Sequence, residues 1–230
     1  MINSNKVFAV ITARGGSKRM PRKNIQPLAD KPLIVWTIQA GLKSNYIDRV
    51  FVSSDDEEIL VLSEGTGAST IKRPKHLASD TAKSVDVVMH ALKKIDHDYE
   101  YVILLQPTSP LRNENHIDEA FDLLIKKNAN AVISVCETDH KPFWTNILPD
   151  DGSMKFFFND AKVNNSESNN HQVFYHLNGA IYICKTEKFL EEKTFFIKEN
   201  IFAYQMSREH SIDIDDEFDW RFAEAIISGS

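Results

Sequence analysis

The sequence predicts a doubly wound α/β domain, a mostly parallel sheet with helices on both faces, carrying one small inserted arm. Short β-branched apolar runs alternate with segments whose apolar residues recur at helical spacing, the pattern of parallel strands joined by crossover helices. A chain of 230 residues accommodates one such core plus an elaboration. Its 42% hydrophobic and 26% charged residues are those of an ordinary globular protein.

Val7–Thr12 is a β-branched run stopped by glycines and too short for a helix, so it reads as a buried strand. From Lys31, the residues Leu33, Ile34, Ile38 and Leu42 follow helical spacing, with Pro32 tolerated in the first turn. Arg49–Ser53 returns to strand character. Ser54, Asp55 and Asp56 then offer caps for a helix whose first turn is acidic at Glu57 and Glu58. The alternation continues through a strand at Thr70–Lys72, a helix at Val85–Ile95, a strand at Tyr101–Leu105, a helix at Ile117–Lys127 and a strand at Ala131–Val135. Asp139–Gln172 breaks this rhythm with Pro142, Pro149, a polar asparagine-rich tract and aromatic clusters. Residues 139–172 read either as a long mobile surface loop or as a β-hairpin arm packing on a second subunit, and the arm is the favoured expectation because exposed aromatic runs mark interaction surfaces. The chain re-enters with a strand at Phe174–Ile183 and closes with Ser211–Ile227, a loop leading into a helix. The core is therefore 1–138 with 173–230.

Composition narrows the partners. A formal charge of −6 argues against a general nucleic-acid binder, which needs a basic face to neutralise many phosphates. Cys136 and Cys184 form no CxxC and have no zinc-like histidine spacing, which fits a reducing compartment. Neither a signal peptide nor an apolar membrane span is legible, so the expected location is the cytoplasm.

Against that acidic background, Arg14, Lys18, Arg19, Arg22 and Lys23 crowd around Gly15, Gly16 and Ser17, directly after the first strand. In an open α/β sheet, ligands bind at the carboxyl ends of strands, where this loop lies. Both GxGxxG and the Walker GxxxxGK[ST] spacing are missing. What remains is a loop whose glycines let backbone N–H groups approach an anion while Arg14, Lys18 and Lys23 neutralise it. Read from the residues alone, this is either a phosphate site or a solvated basic turn.

The stretch ARGGSKRMPRKN, Ala13 to Asn24, resembles the signature loop of the acylneuraminate cytidylyltransferase family. HLASDTAKS at His76–Ser84, LLQPTSPLR at Leu104–Arg112, LNGAIYI at Leu177–Ile183 and SIDIDDEFD at Ser211–Asp219 agree in the same order, so the resemblance covers nearly the whole chain. It implies a Rossmann-like nucleotidyltransferase fold and a homodimer. The implied reaction transfers CMP from CTP to the anomeric hydroxyl of a nine-carbon keto-sugar acid of the sialic or legionaminic type, releasing pyrophosphate. It places Arg14, Gly15, Gly16, Ser17 and Lys23 around the phosphates and Asn24 near the base or ribose, with Ser79 and Thr81 completing the nucleotide pocket. Gln106, Tyr175, His176 and Asn178 are implied to meet the acceptor.

Asp213 and Asp215 fall on one face of an extended segment, so both carboxylates could share one cation. The bland alternative makes Asp215 and Asp216 the cap of the next helix. The resemblance assigns Asp213 and Asp215 to Mg2+ and to catalysis with Arg14 and Lys23, leaving Asp216 and Glu217 to cap. One departure bears on the acceptor: His176 stands where the family often carries arginine, and an imidazole reads a carboxylate less firmly than a guanidinium. His176 is therefore expected to tilt preference towards di-N-acylated acids. Rival acceptors are pseudaminic acid and keto-deoxy-octulosonate. A non-catalytic sugar-nucleotide-binding module is the rival of another class, and paired metal carboxylates argue against it.

Overall fold

The computed structural model describes residues 6–17, 19–95, 99–157 and 172–229; Lys18 and residues 158–171 of the expected arm lie outside them. A seven-stranded sheet runs in the order β5-β4-β1-β6-β8-β7-β9, with β1 at Val7–Thr12, β4 at Arg49–Ser54, β5 at Ser69–Lys72, β6 at Tyr101–Leu105, β7 at Ala131–Glu137, β8 at Tyr175–Lys185 and β9 at Ile201–Met206. All strand pairs are parallel except those of β8, which runs antiparallel between β6 and β7. A two-stranded ribbon, β2 at Pro27–Leu28 and β3 at Lys31–Pro32, follows the basic loop. The helices are α1 (Leu33–Lys43), α2 (Glu57–Gly65), α3 (Ser84–Lys94), α4 (Glu114–Lys126), α5 (Thr186–Glu192) and α6 (Glu217–Ser228).

Strand β1 shows why the fold is doubly wound. Its residues from Val7 to Ile11 are fully buried, and side chains alternate across the pleat. Val7, Ala9 and Ile11 join the core that holds Ile34 and Ile38 of α1, Ile59 of α2, and Ile117 and Phe121 of α4. Phe8 and Val10 face the other core, with Val88 and Ala91 of α3 and Phe189 of α5. A strand apolar on both faces is stable only with helices on both sides. Local signals agree. Asp56 caps α2 by accepting from the backbone N–H of Glu58 at 2.9 Å and of Ile59 at 3.2 Å. Asn113 and His116 form a capping box at the start of α4.

A third, smaller core joins Leu28 and Leu33 to Ile214, Trp220 and Ala223. It draws the segment before α6 against the basic loop's own ribbon. Ile214 is fully buried, so its neighbours Asp213 and Asp215 point the opposite way.

Two features depart from the sequence reading. Residues 139–157 form no strand; a short 3-10 turn at Pro142–Trp144 is followed by turns, so the described part of the arm is not a hairpin. Its apolar side chains are nonetheless open to solvent, Ile147 at 88% and Phe156 at 81%. The pairing of β7 with β8 is also broken: Ile133 pairs with Tyr182 and Val135 with Leu177, so Ser134 alone faces Asn178 to Ile181. The buried Ser134 hydroxyl holds this bulge, donating to Asn178 Oδ1 at 2.6 Å and accepting from the Ile181 N–H at 2.8 Å. Removing it orphans a buried donor, so Ser134→Ala should lower unfolding stability by about 1–3 kcal/mol in urea titrations. A change below about 0.3 kcal/mol would show that the bulge does not depend on this hydroxyl.

Candidate active site

From β1 the chain winds outward to β4 and β5, then returns to place β6 on β1's other side. The carboxyl ends of these strands therefore flank the point where strand order reverses, the place at which open α/β sheets bind ligands. A cleft of about 380 Å³ opens there, lined among others by Arg14, Ser17, Lys23, Asn24, Arg73, Ser79, Gln106, Thr108, Asp213 and Asp215.

The basic loop is pressed onto the start of α2. Gly15 donates its backbone N–H to Asp55 Oδ1 at 3.2 Å, and a Cβ at this position would stand 2.5 Å from Asp56 Oδ2, so only glycine fits. Gly16 has open space around it and borders a neighbouring hollow with Arg14 and Ser79. Asn24 is buried and donates from Nδ2 to the Arg14 carbonyl at 2.9 Å, bracing the loop from beneath. Ser17 Oγ accepts from the Met20 N–H at 3.4 Å.

The cations divide by destination. Arg14 reaches across the cleft mouth to Asp80, at 2.7 Å. The Lys23 side chain is 11% exposed; its ammonium donates to the Ile214 carbonyl and lies 4.0 Å from Asp215 Oδ1. Burial lowers the Lys23 pKa, and the charges of Asp215 and Asp213 oppose that fall. Arg19 pairs with Asp215 at 3.0 Å in an exposed position. Arg22 turns away from the cleft to Glu58 and Asp56 on α2, and so fastens the loop. Lys18 lies outside the described residues.

Asp213 and Asp215 complete the opposite wall. Burial raises the Asp213 pKa, the Thr108 hydroxyl donating to its carboxylate lowers it, and the Asp215 charge raises it again. Gly179, with φ of 75°, lies where any side chain would collide: a Cβ there would stand 2.7 Å from Gln106 Oε1 and 3.5 Å from Asp213 Oδ2. The glycine of LNGAIYI thus leaves room for Gln106 and Asp213 to approach the same spot. Asp216 caps α6, accepting from the Phe218 N–H at 2.9 Å, while Asp219 Oδ2 accepts from the Asp215 and Asp216 N–H groups. Both capping and cleft-facing roles therefore coexist in SIDIDDEFD, on different residues.

The expected residues do not all meet. Arg14, Ser17, Lys23, Asn24, Ser79, Gln106, Asp213 and Asp215 share the cleft. Ser79 stands there with its hydroxyl donating to the His76 carbonyl at 3.2 Å; Thr81, exposed, reaches the site only through its 3.3 Å contact with that hydroxyl. The expected acceptor residues on β8 lie outside the lining of this cleft. Tyr175 is exposed, with its hydroxyl 3.5 Å from Gln205 Oε1. His176 lines a separate cavity of about 500 Å³ with Cys136, Asp139, Arg208 and Phe222. Asn178 is buried, its amide bound to Ser134, Met206 and Ser211. The bulge after Asn178 turns that side chain into the sheet, and the same strand geometry carries His176 away from the cleft. His176 thus faces this second cavity rather than the cleft that holds Lys23.

One cleft cation escaped the sequence reading. Arg73 directly follows β5, is 5% exposed, lies 3.9 Å from Asp55 Oδ1 and has a buried Nε with no partner among the described residues. Burial lowers its pKa, partly offset by Asp55. A lone arginine before Pro74 looks like an ordinary turn residue, and only the position of β5 beside β4 brings it inward. Together Arg14, Lys23 and Arg73 suit a polyanion, and the Asp213–Asp215 pair facing them suits a cation shared with it.

Comparison with known proteins agrees with this chemistry. A family model described as cytidylyltransferase matches residues 8–225. The chain is 40% identical over 219 residues to an N-acylneuraminate cytidylyltransferase from Escherichia coli, covering 95% of this chain but 51% of that relative, so it spans about half the length of that protein. It is 35% identical over 228 residues to a CMP-N,N'-diacetyllegionaminic acid synthase from Legionella pneumophila, covering 96% of each. In fold it is similar to a CMP:2-keto-3-deoxy-manno-octonic acid synthetase solved with CTP, at a TM-score of 0.73 and 14% identity over 98% of this chain and 99% of that one. On sequence and architecture alike, the chain belongs to the cytidylyltransferase family.

Proposed function

We propose that this chain transfers CMP from CTP to the anomeric hydroxyl of a nine-carbon keto-sugar acid, of the sialic or legionaminic type, and releases pyrophosphate. The single observation that carries this reading is the opposition, in one cleft at the switch point, of Arg14, Lys23 and Arg73 to Asp213 and Asp215. The names of the Escherichia coli and Legionella pneumophila relatives support the acceptor class. In the reaction an oxygen–phosphorus bond forms at the α-phosphorus while the α–β bridge breaks, and its electron pair leaves with pyrophosphate. Lys23, held by the Ile214 carbonyl and already largely desolvated, sits ready to stabilise the charge that develops. Gln106, kept in place beside Gly179, stands at the rim where the acceptor approaches.

The residues fit a magnesium requirement. Among the described residues no group of three or more His, Cys, Asp or Glu could hold a metal, so an all-protein cage is not on offer. Magnesium is commonly held by one or two carboxylates plus substrate phosphates, and Asp213 with Asp215 supplies such a pair. When bound there, the ion would neutralise phosphate charge; Asp213 and Asp215 would hold it and Thr108 would orient Asp213.

The exposed apolar side chains within 139–157 support a homodimer built through the 139–172 arm. The buried free thiols of Cys136 and Cys184 support a reducing, cytoplasmic setting. No helix among the described residues is long and apolar enough to cross a membrane.

The reading is tested by incubating the protein with each nucleoside triphosphate and a panel of nine-carbon acids, identifying products by mass. A CMP-linked acid formed from CTP is expected; pyrophosphate without a sugar-linked nucleotide would refute the reading. Lys23→Ala should lower kcat by roughly a hundredfold or more, the scale of removing one charge-stabilising donor. Survival of turnover within about threefold would remove Lys23 from the mechanism. Asn at Asp213 or Asp215 should abolish activity or raise the magnesium requirement with unchanged circular dichroism, and wild-type turnover in excess chelator would overturn the metal assignment. Sedimentation at micromolar concentration should give a dimer, and a monomer would refute the arm's role.

A further inference from the structure

Arg112 is the largest fully buried side chain among the described residues, 1% exposed, and has no carboxylate partner among them. One terminal nitrogen donates to Thr37 Oγ1 at 2.9 Å and to the Gln106 carbonyl at 3.3 Å. Its Nε and other terminal nitrogen are buried without a partner among the described residues, as is the hydroxyl of Ser109 in the same turn. Burial alone pushes its pKa down, to about 9. A buried charge without a counter-charge is unfavourable, and an apolar side chain of similar volume fills such a space at less cost. Packing therefore gives no reason for an arginine here.

The bonds indicate its task. The turn from Gln106 to Ser109 closes on itself, Ser109 N–H donating to the Gln106 carbonyl at 3.4 Å and Arg112 N–H to the Ser109 carbonyl at 3.3 Å. Its outer side bears on the cleft: the Thr108 carbonyl accepts from the Ile214 N–H at 2.8 Å, and Thr108 lines the cleft together with Asp213. Its inner side is gripped by Arg112 and, through Thr37, by α1. We propose that Arg112 is a positioning residue, which sets the Gln106–Thr108 turn against the cleft and so governs use of the keto-sugar acid more than binding of the nucleotide. The acceptor part of this rests on the function proposed above. Arg14 and Arg73 are anchored on other elements, and Lys23 meets the turn only through Ile214, to whose carbonyl it donates and whose N–H donates to the Thr108 carbonyl.

Arg112→Lys, Arg112→Met and Thr37→Val are compared for CTP affinity by calorimetry, for kcat and KM with N-acetylneuraminic acid, and for amide hydrogen exchange at Ser109 and Ile214 in the ligand-free protein. Loss of a charged hydrogen bond to the turn predicts that Arg112→Met raises the acceptor KM about tenfold or more while CTP affinity stays within about twofold. Arg112→Lys should recover part of the loss. Thr37→Val, which keeps side-chain volume if the methionine variant fails to fold, should show a smaller rise in KM and faster exchange at both amides. Parallel loss of CTP affinity and acceptor KM, or a lysine variant no better than methionine, would overturn the role. Absence of turnover in the wild type would count against the proposed function instead. Unaltered exchange in both Arg112→Lys and Thr37→Val would count against Arg112 whatever the activity.

Discussion

The burial of β1 on both faces is the constraint on which the remaining architecture depends. Five consecutive residues from Val7 to Ile11 lie entirely out of solvent, which is possible only with a helical layer on each side and a strand on each edge. Once β1 is central, the loop that follows it must emerge at the switch point between β4 and β6. Placing a strongly basic loop there is what converts a stable sheet into an anion site. The Asp213–Asp215 segment comes to the same edge for a different reason: Ile214 and Trp220 need the small core around Leu28, and that core hangs from the basic loop's ribbon.

The electrostatics of the cleft fall into two groups. Arg14 with Asp80 and Arg19 with Asp215 are exposed pairs, and such pairs typically contribute between about 0 and 1 kcal/mol, so an incoming phosphate exchanges with them at small cost. Lys23 and Arg73 are largely desolvated beside Asp215 and Asp55, which strengthens their fields and lessens reorganisation during reaction. The exposed pairs suit capture; the two buried cations suit the chemistry.

Much of this was legible in the sequence because it rests on local pattern. The β-branched run of β1, the helical spacing of α1 and the caps at Asp56 and Asp216 each declare themselves within a few residues. What failed depended on distant contacts. An apolar strand reads alike in either direction, so nothing in Tyr175–Lys185 announced that β8 runs antiparallel. The inward turn of Asn178 goes with the bulge opposite Ser134 and the positive φ of Gly179, neither of which a strand pattern in the sequence displays. Strand β9, with Phe202, Tyr204 and Met206 alternating, carried a period-two signal that went unassigned. Arg73 became a cleft residue only through the pairing of β5 with β4.

In the function proposed above, the triphosphate enters the cleft at the end of β1 and not the cavity beside His176. A crystal structure of the protein with CTP and magnesium decides between the two. Phosphate oxygens are expected within hydrogen-bond distance of Arg14, Lys23 and Arg73, with the ion between them and Asp213 or Asp215. A triphosphate seated instead in the cavity beside His176 and Arg208 would contradict it.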